Sequence, residues 1–481
     1  MKKVTIRNQE GEKTFYVSQN CNLLTVLREH GYVMNASCGG NGQCRKCAVI
    51  VNGEIQLSCQ TMVIEDMIVE LKNEVKASKK VIIDTKASHN HIAIDIGTTT
   101  LAGYLVDPDH QQVMATYSLY NPQISYGADV ISRINHCSLG KLSILHELII
   151  QAINEIITNL LPNQKPQCLI ISGNTIMLHI LMNEDPTAIG RSPYTTTFLS
   201  SKEFPGDSLR IKAEKVMLLP SISSFIGADI VAGCLAVHIL QEKGNVLLID
   251  LGTNGEMIIK ANKKLFGTST ASGPAFEGAN IELGLGGVSG AISAVTYEES
   301  LTIETVSGSP EGICGSGLID IIAILRKEQL IDETGLLRAN QESKLTSQIM
   351  GDKFYLTDKV YITQKDIREF QLAKSAIISG IMVLLEKAKI TLSSLKRVYI
   401  AGGFGFHMNK ESAVAAGLLP KELEDKIVVV GNSSGLGSVT VACNQSLIET
   451  CNKIAAEVTV VDLNKEPKFN QYFIEQIHFT S

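Results

Sequence analysis

Four cysteines, Cys38, Cys44, Cys47 and Cys59, follow one another with the spacing C-x5-C-x2-C-x11-C, and Gly39, Gly40, Asn41, Gly42 and Gln43 fill the first gap. A chain that wraps four thiolates around one centre must turn sharply and bring backbone N–H groups close to it, which glycine allows and bulkier residues resist. Four thiolates so placed suit a 2Fe–2S cluster. Structural zinc also takes four cysteines, but usually through two C-x2-C pairs. Here there is one such pair, Cys44 and Cys47, with Cys38 and Cys59 each alone, so zinc ranks second. Cys21, just outside the loop, reads as packing. The chain holds 11 cysteines. An odd count with one tight cluster fits a metal site plus scattered reduced thiols rather than a disulfide framework, and points to the cytosol.

The cluster motif sits in a small β-rich unit, residues 1–74. Val4-Thr5-Ile6 and Thr14-Phe15-Tyr16-Val17 alternate around Gln9-Glu10-Gly11-Glu12 and predict a hairpin. Asn22 can cap a short helix through Leu23, Leu24, Val26 and Leu27. Asn52-Gly53 between Cys47–Val51 and Glu54–Leu57 is the strongest short hairpin signal. The whole chain has 481 residues, 44% of them hydrophobic, enough for about three folding units. A net charge of −6 with no long basic run argues against a nucleic-acid partner. Neither a signal segment nor an apolar run of about 18 residues is present, so no membrane association is expected.

Residues 75–90 read as a linker, with Val81-Ile82-Ile83 as a candidate extra strand. From 91 to 481 apolar strands alternate with long amphipathic helices, as in α/β folds. Two segments of this region resemble each other, Ile92-Ala93-Ile94-Asp95-Ile96-Gly97-Thr98-Thr99-Thr100 and Leu247-Leu248-Ile249-Asp250-Leu251-Gly252-Thr253-Asn254-Gly255, with Asp95 and Asp250 155 positions apart. A repeat at that interval suggests a duplicated domain with lobes at about 91–243 and 244–481. In each copy a carboxylate ends a buried strand and a glycine turns the chain. Backbone N–H and hydroxyl groups then suit phosphate oxygens, and the carboxylates suit Mg²⁺ through water. A third strand, Arg397 to Ala401, runs into Gly402-Gly403-Phe404-Gly405, where bare backbone lets a flat ring lie close. His179 reads as a satisfied histidine rather than a ligand. The glycine-rich stretches 270–278 and 312–317 are, at about even odds, cleft lining or plain turns.

The cysteine spacing resembles that of adrenodoxin-type and plant-type ferredoxins, matching the x5 gap of the former, with a shorter final gap that the Asn52-Gly53 hairpin accounts for. The other three motifs resemble the phosphate-1, phosphate-2 and adenosine motifs of actin, sugar and acetate kinases and heat-shock chaperone ATPases. The resemblance implies a small β-grasp ferredoxin-like domain followed by a duplicated actin-like (ribonuclease H-like) ATPase with Mg-ATP between its lobes. Asp95 and Asp250 would hold Mg²⁺ or orient the attacking water. Gly97, Thr98, Thr99, Thr100, Gly252, Thr253 and Asn254 would meet phosphates, and Gly402, Gly403 and Gly405 adenosine. The pairing of the two halves resembles the reductive activators of corrinoid proteins, as do Tyr120-Asn121-Pro122-Gln123 and Tyr126-Gly127-Ala128-Asp129-Val130-Ile131-Ser132-Arg133-Ile134. Larger members of that family carry a further domain between the two halves, where this chain has only its short linker. The resemblance implies ATP-dependent reduction of Co(II) to Co(I), a corrinoid protein of a methyltransferase system and an external low-potential electron donor as partners, and admits a homodimer. Plant-type 2Fe–2S centres lie near about −400 mV. Co(I) is harder to make than that, so ATP would shift which complex is favoured. An activator of another low-potential enzyme and a non-hydrolysing redox sensor are the alternatives, and ATP turnover separates the last from the others.

Overall fold

The structure, a computed structural model, describes residues 1–8, 11–30, 32, 34, 36, 42, 47–71, 78–82, 90–402 and 408–479. Cys38, Cys44, Gly403 and Gly405 lie outside the described residues.

The N-terminal domain is built on a five-stranded mixed sheet in the order Gly11–Val17, Lys2–Asn8, Met67–Glu70, Ala48–Val51, Glu54–Leu57. The expected hairpins form. Asn52 and Gly53 both have positive φ, 50° and 92°, as a tight turn between right-twisted strands requires. Asn22 caps the helix Leu23–Glu29, accepting at Oδ1 from Thr25 N–H at 3.3 Å. That helix buries Leu23, Leu24, Val26 and Leu27 against Val4, Ile6, Val49 and Val69.

Two larger sheets follow, with two small three-stranded sheets beside them. One runs Lys202–Pro205, Lys215–Leu218, Cys168–Gly173, His91–Ile96, Thr100–Asp107, Gln112–Tyr120, Ser78–Ile82. The other runs Ile427–Gly431, Leu395–Ala401, Asn245–Leu251, Gly255–Ala261, Lys264–Thr270, Val458–Val460. Their middles repeat one pattern. The strand carrying Asp95 pairs in parallel with Cys168–Gly173 and antiparallel with Thr100–Asp107. The strand carrying Asp250 pairs in parallel with Leu395–Ala401 and antiparallel with Gly255–Ala261. The repeat read from the two D-x-G strands is therefore a repeat of topology. Ser78–Ile82, in the stretch read as linker or extra strand, is the edge strand of the first sheet, antiparallel to Gln112–Tyr120.

Two helices, Ala228–Ala236 and Ser433–Cys443, cross between the sheets. They touch through glycine. A Cβ on Gly437 would lie 2.0 Å from the Ala232 carbonyl oxygen, and one on Gly233 would lie 2.7 Å from Ser433 Oγ. Both helices begin at the cleft that the two Asp strands face.

Candidate functional site

Each of the two D-x-G loops tightens on itself. Gly97 N–H donates to the Thr100 carbonyl at 3.0 Å, and Gly252 N–H to the Asn254 carbonyl at 3.1 Å. A Cβ on Gly97 would meet the Thr100 oxygen at 2.6 Å, so only glycine makes this turn. The loops face each other, with Thr98 Oγ1 and Thr253 Oγ1 3.4 Å apart. They line a cleft of about 400 Å³ that also takes in Thr99, Thr100, Asn254 and Gly402. Gly402 has φ 129°, and a Cβ there would strike the Leu251 oxygen at 2.3 Å, so the strand packing itself requires glycine at this residue.

Asp95 accepts from Asn432 Nδ2 at 2.9 Å and Ser434 Oγ at 2.7 Å. Burial raises its pKa, and those two donors pull it back. Asp250 is pushed up to about 8, first by burial and then by Asp229, Asp95 and Glu277. Glu256, directly across the strand pair from Asp250, and Asp229, in the first turn of the crossing helix, are raised chiefly by burial as well. So many carboxylates in one cleft repel each other's charge and favour a cation. Among the described residues no three of them converge closely enough to ligate one metal ion directly.

Glu277 comes from the 270–278 turn and bridges both loops. It accepts from Thr253 N–H at 2.6 Å, from Thr253 Oγ1 at 2.9 Å, and from the Thr99 hydroxyl. Both glycine-rich stretches left open above reach the cleft, through Phe276 and Glu277 and through Cys314. Asp229, Glu256, Asn432 and Ser434 were missed by the sequence reading. Gly431-Asn432-Ser433-Ser434-Gly435, a glycine–serine turn directly after an apolar strand, was the signal that could have found the last two. His179 is a satisfied buried histidine, its Nδ1 2.7 Å from the Thr175 carbonyl and its Nε2 accepting from Thr197 N–H at 3.3 Å.

In the N-terminal domain Cys47 and Cys59 are buried close together. Burial pushes the Cys47 thiol up to about 11, so a thiolate there needs compensating positive charge, as iron provides. Gln60 donates to Cys59 Sγ at 3.7 Å. Gly42 takes φ 77°, the left-handed turn anticipated for the loop. Cys21 packs half-buried beside the domain core. These features fit a 2Fe–2S cluster.

A ferredoxin domain joined to a two-lobed, actin-like fold is the class that fold and site define. Three family models match it in order: a 2Fe–2S iron–sulfur cluster binding domain over residues 6–72, the RACo middle region over 91–242, and the C-terminal domain of RACo, the ASKHA domain, over 244–481. The chain belongs to the RACo family, the reductive activators of corrinoid proteins that its motifs resemble. It is similar to the corrinoid activation enzyme RamQ of Eubacterium limosum, 29% identical over 583 aligned positions that cover 97% of this chain and 98% of the relative. The [Co(II) methylated amine-specific corrinoid protein] reductase of Methanosarcina barkeri is 24% identical over 81% of this chain and 76% of its own. A solved reductive activator for corrinoid, iron–sulfur protein superposes with a TM-score of 0.75 at 26% identity, covering 100% of this chain and 98% of that one. No helix among the described residues is long and apolar enough to cross a membrane.

Proposed function

We propose that this chain reduces the cobalt of a corrinoid protein from Co(II) to Co(I), drawing the reaction forward with ATP. What carries the reading is the presence in one chain of a buried cysteine pair fit for a one-electron centre and an acidic cleft fit for Mg-ATP. Bound by Cys38, Cys44, Cys47 and Cys59, a 2Fe–2S cluster supplies one-electron transfer. The electron comes from an external low-potential donor and ends on cobalt, while ATP and water become ADP and phosphate. Asp95 and Asp250 reach Mg²⁺ through water or orient the attacking water. Thr98, Thr99, Thr100, Thr253 and Asn254 meet the phosphates, turned by Gly97 and Gly252, and Gly402, Gly403 and Gly405 lie along adenosine. Asn432 and Ser434 hold Asp95 in place by their hydrogen bonds.

The test follows the corrinoid spectrum anaerobically with a low-potential reductant. Loss of the Co(II) band and growth of the Co(I) band should require Mg-ATP and fail in Cys44→Ala and in Asp250→Ala. Co(I) forming equally fast without ATP would end the coupling idea.

A further inference from the structure

Arg28, on the capped helix of the cluster domain, leaves that domain's core and stacks on the second domain, its guanidinium carbon 4.5 Å from the centre of the Tyr126 ring. Its Nε and Nη2 are buried and have no acceptor among the described residues. Burial pulls its pKa down, while Tyr126, Cys47 and Cys59 act in the other direction. A half-buried cation with two buried donors that lack a partner among the described residues, and that feels the charge of Cys47 and Cys59, is better satisfied once those cysteines carry negative charge. The preceding residue grips the same domain. Ser125 Oγ donates to the Met34 carbonyl at 3.0 Å and accepts from Met34 N–H at 3.2 Å, in a buried contact.

The other side of this segment holds the first cleft loop. Asn121 N–H donates to the Thr99 carbonyl at 2.8 Å and Asn121 Nδ2 to the Gly97 carbonyl at 2.9 Å. Arg133, fully buried, donates through Nη2 to the Thr98 carbonyl, through Nε to the Gly127 carbonyl at 3.2 Å and through Nη1 to Gln123 Oε1 at 3.1 Å. All three carbonyls of Gly97-Thr98-Thr99 are thus held by residues 121–133, and the same residues clasp the cluster domain.

We propose that residues 121–133 transmit occupancy of the cleft to the cluster, and that Arg28, stacked on Tyr126, is a positioning residue whose charge favours the cluster's reduced form. The inference rests on the cleft being the nucleotide site. Phosphates arriving on the first loop move its carbonyls, Asn121 and Arg133 follow them, and Tyr126 shifts beneath Arg28. The effect is reciprocal, since a nucleotide that changes the reduction equilibrium must itself bind differently to the two redox forms.

The test is an anaerobic redox titration of the full cluster-loaded chain, read by EPR, with and without a non-hydrolysable Mg-ATP analogue. Arg28→Gln should disfavour reduction by about tenfold, about 59 mV for a one-electron couple, and Arg28→Lys should restore most of it. The analogue should move the wild-type midpoint. Tyr126→Leu, which leaves the cluster domain's sequence untouched and still binds the analogue, should lose that movement. A wild-type potential in Arg28→Gln overturns the role of Arg28. An equal analogue response in Tyr126→Leu and wild type, or none in a wild type that binds the analogue by calorimetry, overturns the link alone. A wild type that binds no analogue removes the cleft assignment and the link together.

Discussion

Glu277 ties together a backbone N–H and a hydroxyl of one loop and a hydroxyl of the other, and these are groups assigned to phosphate oxygens. Its carboxylate either moves aside for the terminal phosphate or stays to accept a proton from water. Glu277→Gln should slow ATP hydrolysis by about 10²–10⁴-fold while binding nucleotide at least as tightly, because a negative charge leaves the cleft. Turnover and calorimetry measure both. The acidic cleft also makes a pH prediction. Asp250 has a folded pKa of about 8, above the unfolded value of about 4. The folded chain then holds more protons than the unfolded one between those values, so stability falls as pH rises from about 4 to about 8. In EDTA the denaturation midpoint should drop from pH 6 to pH 8, and Mg²⁺ or Asp250→Asn should flatten the slope. A flat profile in EDTA would show that the folded cleft does not raise the Asp250 pKa. Asp95 and Asp250 were readable because each ends an apolar strand and precedes a glycine. Asp229 and Glu256 were not, since one sits in the first turn of an ordinary apolar helix and the other inside a strand, and only the tertiary pairing brings them to the cleft.

The two crossing helices, Ala228–Ala236 and Ser433–Cys443, are the elements on which the lobes meet. Gly437 faces backbone, so a methyl group there cannot be relieved by a side chain moving away. Gly437→Ala should cost about 1–3 kcal/mol of stability by overpacking. It should also weaken nucleotide binding, because Asn432 and Ser434, at the start of the same helix, hold Asp95. Leu436→Ala, at a position 46% exposed, is the control and should do neither. Equal thermal midpoints for the two variants would mean that the helices separate freely. Apolar periodicity made long elements legible from sequence even without a side-chain cap, as in the helix Leu142–Leu160. The crossing was not legible, because Gly233 and Gly437 look like ordinary interior glycines until their neighbours are known.

At the scale of the molecule, among the described residues the cluster domain's apolar core draws on residues between 4 and 71, apart from the cores of the two large sheets. Cys44→Ala should therefore abolish the cluster's visible absorption and leave nucleotide binding in place. Loss of both would show that the domains fold as one unit. The motifs in sequence revealed the two halves, but not their contact, since Ser125 and Tyr126 meet Met34 and Arg28 at a distance in sequence that no local pattern spans. The edge strand Ser78–Ile82 has a consequence for reach. It is anchored in the first large sheet, and only seven peptide steps separate its start from Leu71. Such a stretch extends at most about 25 Å. RamQ aligns over 583 positions against the 481 residues here, so at least 102 of those positions are residues without a counterpart in this chain. A cluster on so short a leash cannot travel far to meet cobalt. Under the proposed function, the corrinoid protein then brings its cofactor to the cluster rather than the cluster reaching out to it.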